Sequence, residues 1–445
     1  MSDKFSKIGF VLAVAGGAVG LGNAWKFPTL VGQNGGFAFV LLYLLLTLTI
    51  GFSIFLAEIA MGRISRKDPV GAYKTLAPKN GDRWQYAGFF MISGIFVLSF
   101  YLVILGWVIK YIFVGFFELP NSIEAADLLF GNFITNSLGE NLFFYLIALF
   151  STLAVVSKGI KSGIERLNII MMPTLFILLL LMLCYSLTMS GSSEAFKFLF
   201  KPDFSKINLD SVLTALGLAF FTLCVGIGCI LTYAASLDDN TNLIKSSINI
   251  ILINILIGLM MGMIVFTFIF EFGGDPTQQG VGLVMVSLSA LFSKLGIVGN
   301  ILAVLFFVSL FFAGITSAVS MIEPFIFYLV NKYNIKRYKA LFFTGIFIFL
   351  LSLSCILSMH VRYQESFTFF GKSFFDILDF LTSNIMLPLG AITTALFVGF
   401  VMKREQIYNL LSKDMGRVGF AIWYFFLRYI APLGVVVIVV NEFIG

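Results

Sequence analysis

Charge is scarce in this 445-residue chain, with Asp, Glu, Lys and Arg making up 12% of it. Histidine is scarcer still. His360 stands alone, so a histidine metal site or proton relay has nothing to build on. The four cysteines, Cys184, Cys224, Cys229 and Cys355, lie in apolar segments without paired spacing, which leaves out a disulfide framework and a thiolate metal site. No nucleophile triad is legible, so the chain does not read as an enzyme. What fills the space is apolar: 59% of residues are hydrophobic and 16% aromatic, the composition of a polytopic membrane protein embedded in a lipid bilayer. The net charge of +6 belongs to short loops between apolar runs, so no nucleic-acid partner is expected. No obligatory protein partner is evident either. A cleavable signal is not apparent, because Lys4 and Lys7 run straight into a long apolar span.

Runs of spanning length predict an all-α protein with eleven transmembrane helices. They lie at about 8–32, 37–62, 86–114, 142–157, 166–190, 211–236, 246–271, 298–331, 340–358, 374–401 and 418–441 and are numbered spans 1 to 11. The stretch 272–296, rich in glycine and carrying Pro276, is too interrupted to cross and reads as a re-entrant or surface helical hairpin. Basic residues set the orientation. With the amino terminus inside, most of the 29 Lys and Arg become cytoplasmic, whereas the loop 115–141 carries Glu118, Glu124, Asp127 and Glu140 and no base. The expectation is a cell (inner) membrane protein with a cytoplasmic amino terminus and an external carboxyl terminus.

One stretch organises the rest: AGGAVGLGNAWKFP, residues 15–28, inside span 1. Gly16, Gly17, Gly20 and Gly22 each cost about 1 kcal/mol of helix propensity relative to Ala, so this helix should unwind in its middle. Glycine-mediated close packing of helices is the other explanation. A second stretch, LAFFTLCVGIGCILTY at 218–233, breaks span 6 in the same manner. Paired interrupted spans at matching positions of two halves point to a transporter binding site, where open backbone is tolerated because it lines a cavity. Spans 1–5 (1–190) and 6–10 (211–401) then form a 5+5 repeat. An odd number of spans per half inverts the second half relative to the first. Span 11 (418–441) is an addition, and the whole chain, 1–445, is one transporter domain.

These residues resemble a known family. AGGAVGLGNAWKFP, NGG at 34–36, AEIAMGR at 57–63, FFTLCVGIGCILTYAA at 220–235, FFAGITSAVSMIEP at 311–324 and FFDILDFLTSNIMLPLG at 374–390 are similar to the neurotransmitter:sodium symporters, in particular the bacterial eleven-span amino-acid transporters. A member of that family is itself the standard example of inverted repeats with broken helices. The resemblance implies sodium-coupled symport of neutral, hydrophobic or aromatic amino acids by alternating access. A transport-inactive amino-acid sensor on the same scaffold is the rival, and a channel is disfavoured because no span carries a continuous polar face.

Helix breaks expose both kinds of helix end. Amides of Leu21 and Gly22 suit a carboxylate, and carbonyls of Ala18, Phe221 and Thr222 suit an ammonium group or a cation. The resemblance adds Tyr101 as a donor to the carboxylate and a side-chain pocket of Val97, Tyr101, Phe221, Cys224, Ile227, Ser317 and Met321, uncharged throughout. It implies two Na+ sites built from oxygen, as hard cations require. Site 1 would use Ala18, Asn23, Thr222 and Asn254 with the substrate carboxylate. Site 2 would use carbonyls of Gly16, Val19 and Ala313 and hydroxyls of Thr316 and Ser317, although a Thr-Ser pair in a membrane helix can equally bond back to its own preceding turn. Gly17 and Gly258 stand where the family has polar or acidic groups. Leu218 replaces a polar chloride ligand while Tyr43, Thr222 and Asn254 remain, so chloride dependence stays open.

The resemblance also implies that Glu58 braces the opened span 6 and that Lys26 and Asp379 form an outer gate. Gly163 and Pro173 would mark a segment of span 5 that unwinds. The family's inner-gate residues fall on Met1, Lys4 and Asn331, with Phe5 adjacent, and do not transfer.

Overall fold

The computed structural model describes residues 4–201, 204–277 and 282–444. Among them, nine helices are long and apolar enough to cross a membrane. A tenth span is the pair Lys7–Ala18 and Gly22–Gln33, bent by 53° at the glycine-rich break. The eleventh element is span 6, split into Leu209–Leu223 and Cys229–Ala235. The result is an all-helical membrane protein that fits eleven spans, with spans 1 and 6 broken. A two-residue hairpin, Thr368–Phe369 against Lys372–Ser373, is the one sheet among the described residues.

The helix breaks have local causes. Span 1 leaves helical geometry at Val19, whose ψ of 92° is extended. In span 6 the chain turns left-handed at Cys224, Gly226 and Gly228, with φ of 53°, 88° and 81°. A helix cannot continue through three such residues, and only glycine takes that region without steric cost.

Burial places the elements. In span 3, Gly81–Phe116, 89% of the most apolar window is inside the protein, against 28% for span 5, Ile160–Ser186. Span 3 is therefore a central post, whereas most of span 5 faces lipid. Span 1 packs against spans 5, 7 and 8, span 3 against span 8, and the inner half of span 6 against span 2.

Several boundaries differ from expectation. Helix runs on before span 11 from Arg404, but Gly416, at φ 70° and ψ 176°, separates a leading helix from the span. Within 272–296, Leu283–Ser293 is helical with both of its turns buried, packed against Ile123–Thr135, so it lies within the protein rather than on its surface. Residues 278–281 of that stretch lie outside the described residues. The segment from Gly163 to Pro173 is wound: a π-helical turn at Ile160–Glu165 leads into an α-helix that passes through Pro173. The unwinding expected there is absent from this conformation.

Candidate functional site

Both breaks meet at one place. A small cleft of about 10 Å³ is lined by Gly17, Ala18, Gly20, Gly22, Asn23, Tyr101, Phe221, Thr222, Cys224, Ser317 and Met321. No lining side chain is charged. Eight of the expected substrate contacts line it. Leu21 reaches the site through its backbone, donating its amide to the Tyr101 hydroxyl at 3.0 Å. Val97 and Ile227 are buried but do not line the cleft. Ile227 instead faces Gly94, where an added Cβ would stand 2.7 Å from its Cγ2 and from the Met321 carbonyl.

The broken ends are braced by side chains. Cys224 donates its Sγ–H to the Gly17 carbonyl at 2.9 Å, linking the two breaks directly. Glu58 accepts the Gly226 amide on Oε1 at 2.7 Å, capping a donor that the break leaves without a helical partner. Glu58 Oε2 has no protein partner. Gly226 itself presses against the backbone of Leu387, Gly390 and Ala391, so span 10 closes over the break.

Two oxygen-rich neighbourhoods flank the cleft. In the first, Asn23 donates to the Asn254 side-chain and backbone oxygens at 2.9 and 3.2 Å. Asn254 donates to Tyr43 at 3.3 Å, and Tyr43 shares a hydrogen bond with Thr222 at 3.0 Å. Asn23 Oδ1 is buried with no partner. An orphaned carbonyl oxygen beside Thr222 and Asn254 fits a cation ligand and costs about 1–3 kcal/mol if nothing meets it.

In the second, the two hydroxyls behave differently. Thr316 bonds back to Phe312 and Ala313, at 2.9 and 3.0 Å. Ser317 reaches across to span 1 and meets the carbonyls of Gly16, Gly17 and Val19 at 2.9, 3.1 and 3.3 Å. One hydroxyl proton cannot satisfy three carbonyls, so this convergence has surplus acceptors of the kind a hard cation collects. No group of three or more His, Cys, Asp or Glu that could hold a metal ion is found among the described residues.

Both ends of the molecule are closed. At one end, Lys26 pairs with Asp379 at 3.3 Å, donates to Ser383 and stands 4.1 Å above the Phe221 ring. Beyond it lies a cavity of about 350 Å³, lined in part by Leu30, Leu213 and Asn384. At the opposite end, Asp239 draws in Lys4, Arg63 and Arg66. The two arginines beside it hold its carboxyl below the usual carboxylate range. Arg63 also donates to the Leu237 carbonyl, and Arg66 to those of Ala235 and Leu237. Phe5 is buried edge-on against Tyr233 and donates its amide to Ser236 at 3.0 Å. Ser6 donates to Glu165 through both its amide and its hydroxyl. Sequence reasoning missed this closure. Arg63 and Arg66 read there only as orientation charges, and the Asp238-Asp239 pair after span 6 was the available signal.

Comparisons with known proteins agree with this architecture. The model of the family described as the Sodium:neurotransmitter symporter family matches residues 3–124 and 133–445. The uncharacterized sodium-dependent transporter YhdH of Bacillus subtilis is 36% identical over 441 residues, covering 98% of this chain and 96% of its own. The sodium-dependent dopamine transporter of Bos taurus is 24% identical over 490 residues, 98% of this chain and 68% of its own. Among solved structures, the crystal structure of MhsT in complex with L-phenylalanine matches with a TM-score of 0.89 at 35% identity, covering 98% of both chains.

Proposed function

The chain belongs to the sodium:neurotransmitter symporter family, and we propose that it moves neutral, apolar or aromatic amino acids across the membrane by sodium-coupled symport. The observation that carries this reading is the uncharged cleft where the two breaks meet, with the Leu21 amide and the Tyr101 hydroxyl side by side in it. Those two groups bond each other here and would turn together to a substrate carboxylate, while carbonyls exposed at the breaks would take the ammonium group. A charged side chain would find no partner among the lining residues. That MhsT binds L-phenylalanine supports the same substrate class. Nothing in the relatives favours a sensor.

Sodium enters as co-substrate. Asn23 Oδ1, Thr222 and Asn254 would hold one ion beside the carboxylate, and Gly16, Val19, Ala313, Thr316 and Ser317 a second. Because the cleft is about 10 Å³, an amino acid enters only when spans 1, 3, 6 and 8 part. Binding energy is thereby linked to movement, and closure at Lys26–Asp379 and at Asp239 would alternate. The deciding experiment is uptake of labelled L-phenylalanine into proteoliposomes with and without an inward sodium gradient. Concentrative uptake only with the gradient is expected. Flux without concentration, or binding without flux, would overturn the proposal.

A further inference from the structure

Asn168 lies midway between Gly163 and Pro173, on the part of span 5 that packs against span 1. It is fully buried in an otherwise apolar run, an expensive position for an amide in a membrane helix. Its Nδ2 donates to the Ile164 carbonyl one turn back, at 2.8 Å. That bond commits the nitrogen and fixes which way the amide points. Oδ1 is then buried without any protein partner. It is aimed at Gly16: a side chain at Gly16 would collide with Asn168 Oδ1 and would come 3.1 Å from Thr316 Cβ. Gly16 is thus flanked by Asn168 on one side and Thr316 on another, while its own carbonyl meets Ser317 at 2.9 Å.

We propose that Asn168 Oδ1 is a further oxygen ligand of the sodium ion held between spans 1 and 8, contributed by span 5. The inference rests on the sodium-symport reading above and extends it. A buried, oriented carbonyl oxygen with no protein partner needs a positive or donating neighbour. The surplus carbonyls gathered around Ser317 mark where a cation would sit. Glycine at 16 is required on this account because any side chain would displace the Asn168 oxygen. Ligation by span 5 would couple the ion to the winding of the Gly163–Pro173 segment, since unwinding there withdraws Asn168.

The test is a titration of purified protein with sodium, at constant ionic strength with choline, following sodium-dependent thermal stabilisation and 22Na+ binding without amino acid. Removing a group that ligates or orients a metal typically costs about 10–100-fold in affinity. Asn168→Ala should therefore raise the half-saturating sodium concentration by at least about tenfold. Asn168→Asp, which keeps the oxygen and adds charge, should lower it, and this second variant decides the matter if the alanine variant fails to fold. Unchanged half-saturation in either variant, against a sodium response in the parent protein, overturns the role of Asn168 and leaves symport standing. No sodium response in the parent overturns the symport reading itself.

Discussion

At the residue scale, the site depends on single side chains that finish what the helix breaks leave open. Glu58 is the sharpest case, because Gly226 has no other acceptor for its amide. Glu58→Leu leaves that donor buried and unpaired, at a cost of about 1–3 kcal/mol. Uptake should collapse and the melting temperature should fall. Glu58→Gln, with an oxygen still available, should recover most of both, and equal damage from the two variants would mean that Glu58 acts by its charge. A second residue-scale prediction concerns charge balance at Asn23. The neighbouring groups Thr222 and Asn254 are neutral, so on the proposed symport reading a sodium ion there would need the substrate carboxylate. Coupling is then reciprocal, each partner tightening the other by the same factor. Asn23→Ala should weaken sodium and amino acid together. Phenethylamine, which lacks the carboxylate of phenylalanine, should bind without sodium dependence at this site. Substrate binding in sodium gluconate that vanishes without chloride would show that the carboxylate alone is insufficient.

At the element scale, span 6 works because its break is closed over by span 10. An alanine Cβ at Gly226 would stand 2.6 Å from the Leu387 carbonyl and 3.0 Å from the Ala391 amide, at a φ of 88°. Gly226→Ala should cost about 1–3 kcal/mol through backbone strain alone and abolish uptake. Alanine at Gly217, which meets no atom within 4 Å, should be tolerated. The ends of spans 1, 2 and 6 at the Asp239 side are joined by Asp239. Asp239→Asn should loosen them, read as faster labelling of an introduced Phe5→Cys by a maleimide from the cytoplasmic side. Since the Asp239 carboxyl is held below its ordinary value of 3.8, its contribution is present above that value. It is lost only as pH falls through the lower folded value, so labelling in the parent background should not vary between about pH 5 and 8.

At the scale of the whole molecule, the charge bias of the loops after spans 3 and 8 predicts that they face opposite sides of the membrane. Asn121 lies in the acidic loop after span 3 and Lys336 in the basic turn after span 8, and both are exposed. A membrane-impermeant maleimide should label Asn121→Cys in intact cells and Lys336→Cys only after permeabilisation. The reverse pattern would invert the orientation, and labelling of both in intact cells would break the span count.

The sequence by itself determined the membrane class and the two broken spans, because glycine clusters and apolar runs act locally and declare themselves within one helix. Through the family resemblance it also pointed to Lys26 with Asp379, Glu58 with the opened span 6, and Ser317 with Gly16. Tertiary structure decided what depends on contacts between distant spans. Val97 and Ile227 are buried outside the cleft lining, Ile227 packing against Gly94 of span 3. Thr316 and Ser317, adjacent in sequence, divide between their own helix and span 1. The closure at Asp239 and the unpartnered oxygen of Asn168 could not be read from any local pattern. A charge reveals its partner, and a buried amide its lack of one, only when the helices that surround it are in place.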